Sequence, residues 1–360
     1  MRQRPPPRPA IIPHSRPSVS EADIRAVVRA LRNRRLSQGH EVAALEDALA
    51  SVFGGVEAVV VSSGTAALYL SLAALGVQRG DKVVIPSYTC NSLFSAVSFS
   101  GATAVCADTA PGTPNISRST VQCVMDRSVK AVIVPHTCGY LADVAALSRL
   151  GRPVIEDCAQ AAGGRYADGS PVGSKGDIAV FSFYATKLIP AGEGGACVTA
   201  NRELAAAVRR LRDCDKRLPD AQAFNFKMTD LCASLARRKL AQLPQVVKRR
   251  AVMADRYDEA FGAASWRVRS SSAQAVCSRY LVETRGEIET VLDRALAGGI
   301  ACLRPVFRPL HYSLGGECPN TETLDKTLVS VPLYPALIDK DIRKILRRAP
   351  ELLNPSADRT

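Results

Sequence analysis

Apolar and polar positions follow two rhythms along this chain. Between Ala58 and Ala200, short uninterrupted apolar runs alternate with stretches of helical spacing. Ala58-Val59-Val60-Val61 reads as a buried strand, and Ala66 to Leu75 as the helix after it, stopped at Gly76. Lys82-Val83-Val84-Ile85 is the next strand, followed by a helix from Ser92 to Phe99 that ends at Gly101. Further strands are expected at Thr103 to Cys106, Ala131 to Val134, Val154-Ile155, Ile178 to Phe183 and Ala196 to Thr199. Continuous apolar strands separated by helices predict a mainly parallel sheet covered on both faces. Beyond Thr199 the spacing turns helical, over Arg202 to Arg212 and then from Thr229 to about Phe261, with a break or kink expected at Pro244. Val329 to Leu333 and Asp341 to Arg348 are the clearest signals in the remainder. The expected organisation is an arm over 1–15, a large domain over 16–245 and a smaller α/β domain over 246–360.

Composition narrows the class. The chain has 360 residues, 47% of them hydrophobic, and a mean hydropathy near zero, as in an ordinary globular protein. No apolar run is long enough to cross a bilayer. The opening residues are basic and then proline-rich (Pro5, Pro6, Pro7, Pro9), which predicts an extended or disordered arm rather than an export leader. Eleven cysteines are scattered without zinc spacing, which fits reduced thiols in a cytoplasm and no metal site. The net charge of +13 is spread over helix faces such as Arg209, Arg210 and Arg212. It reads either as solvated helix surface or as a field that attracts an anionic substrate. No basic motif interleaved with aromatics speaks for nucleic acid.

Ligands of parallel sheets bind beyond the carboxyl ends of the strands. Three polar segments fall there: Ser62-Ser63-Gly64-Thr65, Asp157 with Gln160, and the turn from Ser182 to Lys187. A lysine after one strand and an aspartate at the end of another suit pyridoxal 5′-phosphate (PLP). The amine forms a Schiff base with the aldehyde, and the carboxylate pairs with the pyridinium nitrogen. Taken singly, Lys187 could be a solvated loop lysine, Asp157 a helix cap, and the Ser/Gly/Thr run an ordinary helix start. Free N–H groups at that helix start would also suit a phosphate, with Ser182 in reach. Gly194-Gly195 fits either a close backbone approach to a flat ligand or a plain turn.

Four ordered motifs together resemble the DegT/StrS-like sugar aminotransferases, PLP enzymes of the aspartate aminotransferase superfold. They are Ser63-Gly64-Thr65-Ala66-Ala67-Leu68, Ile155-Glu156-Asp157-Cys158-Ala159-Gln160, Ser182 to Lys187 with Gly192-Glu193-Gly194-Gly195, and Phe224-Asn225-Phe226-Lys227-Met228-Thr229-Asp230. The resemblance runs from Arg16-Pro17-Ser18 to Pro332-Leu333-Tyr334-Pro335 and implies PLP fold type I, a large α/β/α domain with a mainly parallel mixed sheet plus a smaller C-terminal α/β domain. It implies that Lys187 carries the cofactor and shuttles the proton, that Asp157 holds the ring nitrogen and that Gln160 contacts the ring oxygen. Gly64, Thr65 and Ser182 would bind the phosphate, and Asn225 the phosphate of a neighbouring subunit's cofactor in a homodimer. Ser37, in Ser37-Gln38-Gly39, and His311 match substrate-facing segments, although His311 also reads as a surface histidine. The implied reaction moves an amino group, from glutamate, to a nucleotide-linked keto-sugar. The alternatives are a free keto-cyclitol acceptor, a non-catalytic PLP-fold binding protein, and a nucleotide-binding α/β protein without PLP. Lys187 speaks against the dehydratase branch, which lacks the lysine. Two departures stand out. Cys90 occupies the place of a ring-stacking aromatic, for which Tyr88 could compensate if the segment stays extended, and the stretch between Ser265 and Thr284 is compressed.

Overall fold

In the computed structural model, residues 11–53, 56–215, 223–266 and 276–354 are described. The expected arm therefore lies outside the described residues up to position 10, as do residues 267–275 of the compressed stretch. Seven strands form the main sheet in the order β1-β7-β6-β5-β4-β2-β3. They are β1 (Glu57–Val61), β2 (Lys82–Pro86), β3 (Thr103–Ala107), β4 (Val129–Pro135), β5 (Val154–Asp157), β6 (Ile178–Ser182) and β7 (Gly195–Thr199). β7 pairs antiparallel with β1 and with β6, while the pairings among β2 to β6 are parallel. The mainly parallel, mixed α/β sheet expected from the sequence is therefore present.

Strand alternation sorts side chains onto two apolar layers. Val59, Val61, Val83 and Ile85 pack with α3 (Gly64–Ala74), α4 (Asn91–Phe99) and α7 (Arg202–Arg212). Ala58 and Val60 pack on the opposite face with α2 (His40–Val52) and the first half of α8 (Asp230–Phe261). A one-residue slip would exchange the layers, so burial at about 1.5–3 kcal/mol per large aliphatic side chain fixes the register. The helix α1 (Glu21–Arg32), opened by a Ser20–Asp23 capping box, and α2 went unread in the apolar rhythm.

Of the break or kink expected at Pro244, the break does not occur: α8 is one helix of 32 residues that runs through it. Proline removes one N–H and crowds the preceding turn, yet each half of α8 is anchored separately. Ala233, Ala236, Leu240 and Leu243 belong to the large sheet's core, whereas Met253, Ala254, Tyr257 and Phe261 belong to a second core. That second core gathers β8 (Tyr280–Glu283), β9 (Leu328–Val331) and the helices Ile288–Ala297 and Asp339–Leu353. Residues 11–15 join it too: Ile12 bridges to Ile300, and His14 Nε2 lies 2.9 Å from Ser330 Oγ. Among the described residues no helix is long and apolar enough to cross a membrane.

Candidate active site

The parallel strands deliver their carboxyl ends to one edge of the sheet. After β6 the chain turns tightly: Phe183 N–H donates to Gly194 O at 2.8 Å, Ala191 N–H to Phe183 O at 2.8 Å, and Lys187 N–H to Tyr184 O at 2.9 Å. This sets the half-buried Lys187 between two cavities, one of about 1310 Å³ and one of about 330 Å³. Among the described residues its ammonium has no ion-pair partner within 4 Å. Asp157, the last residue of β5, is buried, and its Oδ1 accepts from Ala159 N–H at 3.0 Å. Burial raises its carboxyl above the usual range, offset in part by that hydrogen bond and by the Lys187 charge. A carboxylate in this position gains from a cation placed against it.

Gln160 lines both cavities beside Lys187, and its buried Oε1 has no hydrogen-bond partner. An orphaned buried amide is costly unless a ligand group meets it. The start of α3 is built close against β6 and β7. Ser63 caps it, accepting from Ala66 N–H at 3.0 Å, and the leading N–H groups of Gly64 and Thr65 point out of the helix end. A Cβ on Gly64 would stand 2.9 Å from Ser182 Cβ. One on Gly195 would stand 2.6 Å from the Ser63 carbonyl and 2.7 Å from Gly64 N, so Gly195 serves backbone packing beneath the helix start. Gly194 adopts φ +140, with Met228 Cε 2.5 Å from where its Cβ would be. A buried carboxylate, an amine, an unmatched amide and a helix N-terminus fit the ring nitrogen, aldehyde, phenolic oxygen and phosphate of PLP.

The remaining expected residues divide. Cys90, the N-cap of α4, is exposed and lines the larger cavity with Thr89 and Asn91. Tyr88 does not replace it. Thr89 N–H donates back to Ser87 O at 3.0 Å, so the chain turns and strand alternation is lost. Tyr88 is instead fully buried with Cys138, Tyr140 and Trp266. His311 is buried rather than superficial. Its Nδ1 lies 2.5 Å from Ser87 Oγ and its Nε2 is 3.8 Å from the Glu322 carboxylate, behind the wall that Leu310 and Ser313 present to the cavity. Ser37 and Asn225 are exposed and line neither cavity of their own chain. The loop carrying Ser37 is pinned by Asp230, whose Oδ1 accepts from Gly39 N–H at 2.8 Å and Val42 N–H at 3.1 Å.

Two groups of residues escaped the sequence reading. One is a buried network at the base of β5. Glu156 accepts from Tyr166 OH at 2.7 Å, Gly173 N–H at 2.5 Å, Lys175 N–H at 2.9 Å and Gly176 N–H at 2.8 Å, and it meets His136 Nε2 at 3.1 Å. Burial pushes its carboxyl up, but the hydrogen bonds from His136 and Tyr166 outweigh this and hold it at about 2. His136, Glu156 and Cys158 offer ligand atoms within 4.8 Å of one another. His136 Nδ1 already accepts from Ala142 N–H at 3.0 Å and Glu156 is saturated, so the cluster buttresses β5 rather than binding a metal. The only available sign was the glutamate beside Asp157. The other group is basic: Arg279, Arg304 and Arg308 line the larger cavity, and Arg250 and Arg279 the smaller. Of these, Arg308 opens the Arg308-Pro309-Leu310-His311-Tyr312 segment that the sequence likens to a sugar-facing one, whereas Arg250, Arg279 and Arg304 come from segments without a recognisable motif.

Comparison with known proteins agrees with this geometry. The sequence matches the DegT/DnrJ/EryC1/StrS aminotransferase family over residues 17–349. The fold is similar to that of DesV from S. venezuelae in complex with a ketimine intermediate, at 30% identity and TM-score 0.85, covering 92% of this chain and 94% of that one. It is similar to DesI solved in the presence of its TDP-sugar product, at 27% identity and TM-score 0.85, covering 95% and 94%. It also matches the PLP form of the putative sugar aminotransferase Spr1654 from Streptococcus pneumoniae, at 25% identity and TM-score 0.87, covering 95% and 98%. With its strand-edge lysine and aspartate inside that span, the chain belongs to the DegT/DnrJ/EryC1/StrS aminotransferase family and is a PLP-dependent sugar aminotransferase.

Proposed function

We propose that this enzyme moves an amino group from glutamate to a ketone on a nucleotide-linked sugar, with PLP held at the carboxyl edge of the main sheet. When bound, PLP supplies an electron sink conjugated to the substrate carbon. Lys187 holds the cofactor aldehyde and carries a proton to and from that carbon. Asp157 keeps the ring nitrogen protonated, since a cation relieves the cost of burying its charge. The Gln160 amide meets the phenolic oxygen, while Gly64 and Thr65 at the start of α3, with Ser182, take the phosphate. Residues 16–245 form the cofactor domain and 246–360 the smaller domain, joined by α8.

The larger cavity supports a nucleotide-linked acceptor. Its wall carries Arg308, exposed and without an ion pair among the described residues, beside Phe307, which is 94% exposed. A guanidinium next to a free aromatic face suits a diphosphate and a stacked base. The functional unit is a homodimer. Asn225 is exposed outside its own cavity, next to Phe224 and Phe226, which flank Tyr69 and, beyond it, the 70% exposed Phe99. Asn225 and Ser37 therefore serve the neighbouring site. No disulfide joins the described cysteines, which supports a reducing cytoplasm.

The test loads the enzyme with amine from glutamate and then offers a nucleoside-diphosphate-linked keto-sugar or a free keto-cyclitol. Return of the visible cofactor band with the linked sugar at low concentration, weakened about tenfold in Arg308→Ala, is the expected result. Equal or better turnover of the free cyclitol would overturn the nucleotide-linked acceptor.

A further inference from the structure

One wall of the larger cavity is a strap between the two cores. Leu303 exchanges hydrogen bonds with Ser330 of β9, its N–H donating at 3.1 Å and its carbonyl accepting at 2.7 Å, so the strap starts on the second core. It returns there at Leu328, the first residue of β9. Between these ends it crosses to the main sheet, where Leu310 and Cys318 are buried in one core with Val83, Ile85 and Cys106. Two fastenings hold it. Asp108, just past β3, accepts from Asn320 N–H at 2.9 Å and Thr321 N–H at 2.8 Å, at the start of the helix Pro319–Thr327. Ser87, just past β2, is the other. Its N–H donates to Ala107 O at 2.9 Å, and its carbonyl accepts from Leu310 N–H at 2.9 Å and Thr89 N–H at 3.0 Å. Its hydroxyl accepts from His311 N–H at 3.3 Å and lies 2.5 Å from His311 Nδ1, with both residues buried.

Residues 303–310, 313 and 314 line the larger cavity, and His311 does not. Its imidazole stands behind the lining. Nε2 has no hydrogen-bond partner, and the Glu322 carboxylate is 3.8 Å away, so the contact with Ser87 is the ring's one hydrogen bond among the described residues. Through the turn at Thr89, Ser87 also leads into Cys90 and Asn91, which line the same cavity. One joint therefore sets the strap with Arg304, Phe307 and Arg308 and the start of α4 together. We propose that His311 is a positioning residue of the acceptor half-reaction: by gripping Ser87 it holds Phe307 and Arg308 where the acceptor meets them, without touching the acceptor itself. This rests on the larger cavity receiving the acceptor. Without the imidazole, a buried hydroxyl loses its match and the strap is freed near its middle, while Asp108 still holds it farther along. Lys187, Asp157 and Gln160 take their places from β5, β6 and the turns after them, so amine loading by the donor does not depend on this joint.

The test follows the two halves of the reaction separately in PLP-loaded enzyme. The visible band is lost with L-glutamate and then returned with a nucleoside-diphosphate-linked keto-sugar or, where that is inert, a free keto-cyclitol. His311→Leu should raise the acceptor concentration for half-maximal return about tenfold, as for one lost hydrogen bond, and leave the glutamate step within about twofold. His311→Asn, whose amide oxygen reaches the Nδ1 position, should recover most of that loss. Ser87→Ala should weaken the acceptor in the same way and serves as the reporter if His311→Leu does not fold. An unchanged acceptor requirement, an equal loss in both halves, or no recovery in His311→Asn would overturn the assignment. A wild type that responds to neither acceptor fails the reading of the larger cavity instead. The joint is then decided by hydrogen exchange at the Leu310 N–H, expected to be about tenfold faster in His311→Leu. An unchanged exchange rate would overturn the proposal.

Discussion

Two walls face each other across Lys187, and they are built in different ways. One comes from the carboxyl ends of three strands: Gly64 and Thr65 after β1, Asp157 and Gln160 at β5, Ser182 and Lys187 at β6. Its residues are short, close to backbone and held by tight contacts such as that of Gly195 against Ser63. The other wall draws on His14, Arg250, Ser278, Arg279 and residues 303–308. Its residues are long, cationic and partly unmatched. In the proposed function, the first wall sets the chemistry and the second selects what is brought to it. A parallel sheet can present reacting groups from local sequence alone, whereas recognition is assembled from segments far apart in the chain.

The largest separation between the walls is expected at Lys187. Lys187→Ala should lower single-turnover transamination by at least about four orders of magnitude, measured by stopped-flow absorbance, while the fold and Tm hold. Next is the support of the first wall. Glu156→Ala leaves the N–H groups of Gly173, Lys175 and Gly176 without their acceptor and should destabilise the fold by about 3–5 kcal/mol in denaturant titration. The same carboxylate predicts an acid limit. Its value in the fold, about 2, lies below the ordinary 4.5, so the unfolded chain binds the proton first. Its contribution is complete above pH 4.5 and disappears as pH falls toward 2.

The second wall should respond at milder acidity. His14 is held near 3 against an ordinary 6.5, so the unfolded state takes up the proton between these values and stability falls as pH drops from 6.5 toward 3. His14→Gln should flatten the Tm profile in that window by about 2–4 °C and leave the region below pH 3 unchanged. The smallest effect is expected at Cys90, where Cys90→Tyr should tighten PLP by about 0.5–1.5 kcal/mol through ring stacking, read by cofactor titration. No gain would mean that the exposed α4 N-cap does not overlie the ring.

Legibility followed the same divide. Apolar runs located all seven strands of the main sheet, because a strand buried on both faces has no polar position to confuse its pattern. Asp157, Gln160 and Lys187 could be read because each follows such a run within a few residues. Pro244 does not break α8, and local helix geometry says nothing about the two separate cores that anchor its halves. Tyr88 misled because the turn at Ser87–Thr89 cancels the alternation that would have aimed it at the cavity. His14 and Arg279 could not be paired from sequence, because only the bridge of Ile12 to Ile300 and the packing of β8 on β9 bring them to one cavity.

The most direct measurement is the absorption spectrum of the PLP-loaded protein before and after L-glutamate is added. The account predicts a visible band that is lost on adding glutamate, absent from Lys187→Ala and weakened at Asp157→Asn. A protein that stays colourless with added PLP, or one whose band is indifferent to every amino acid tried, would contradict it.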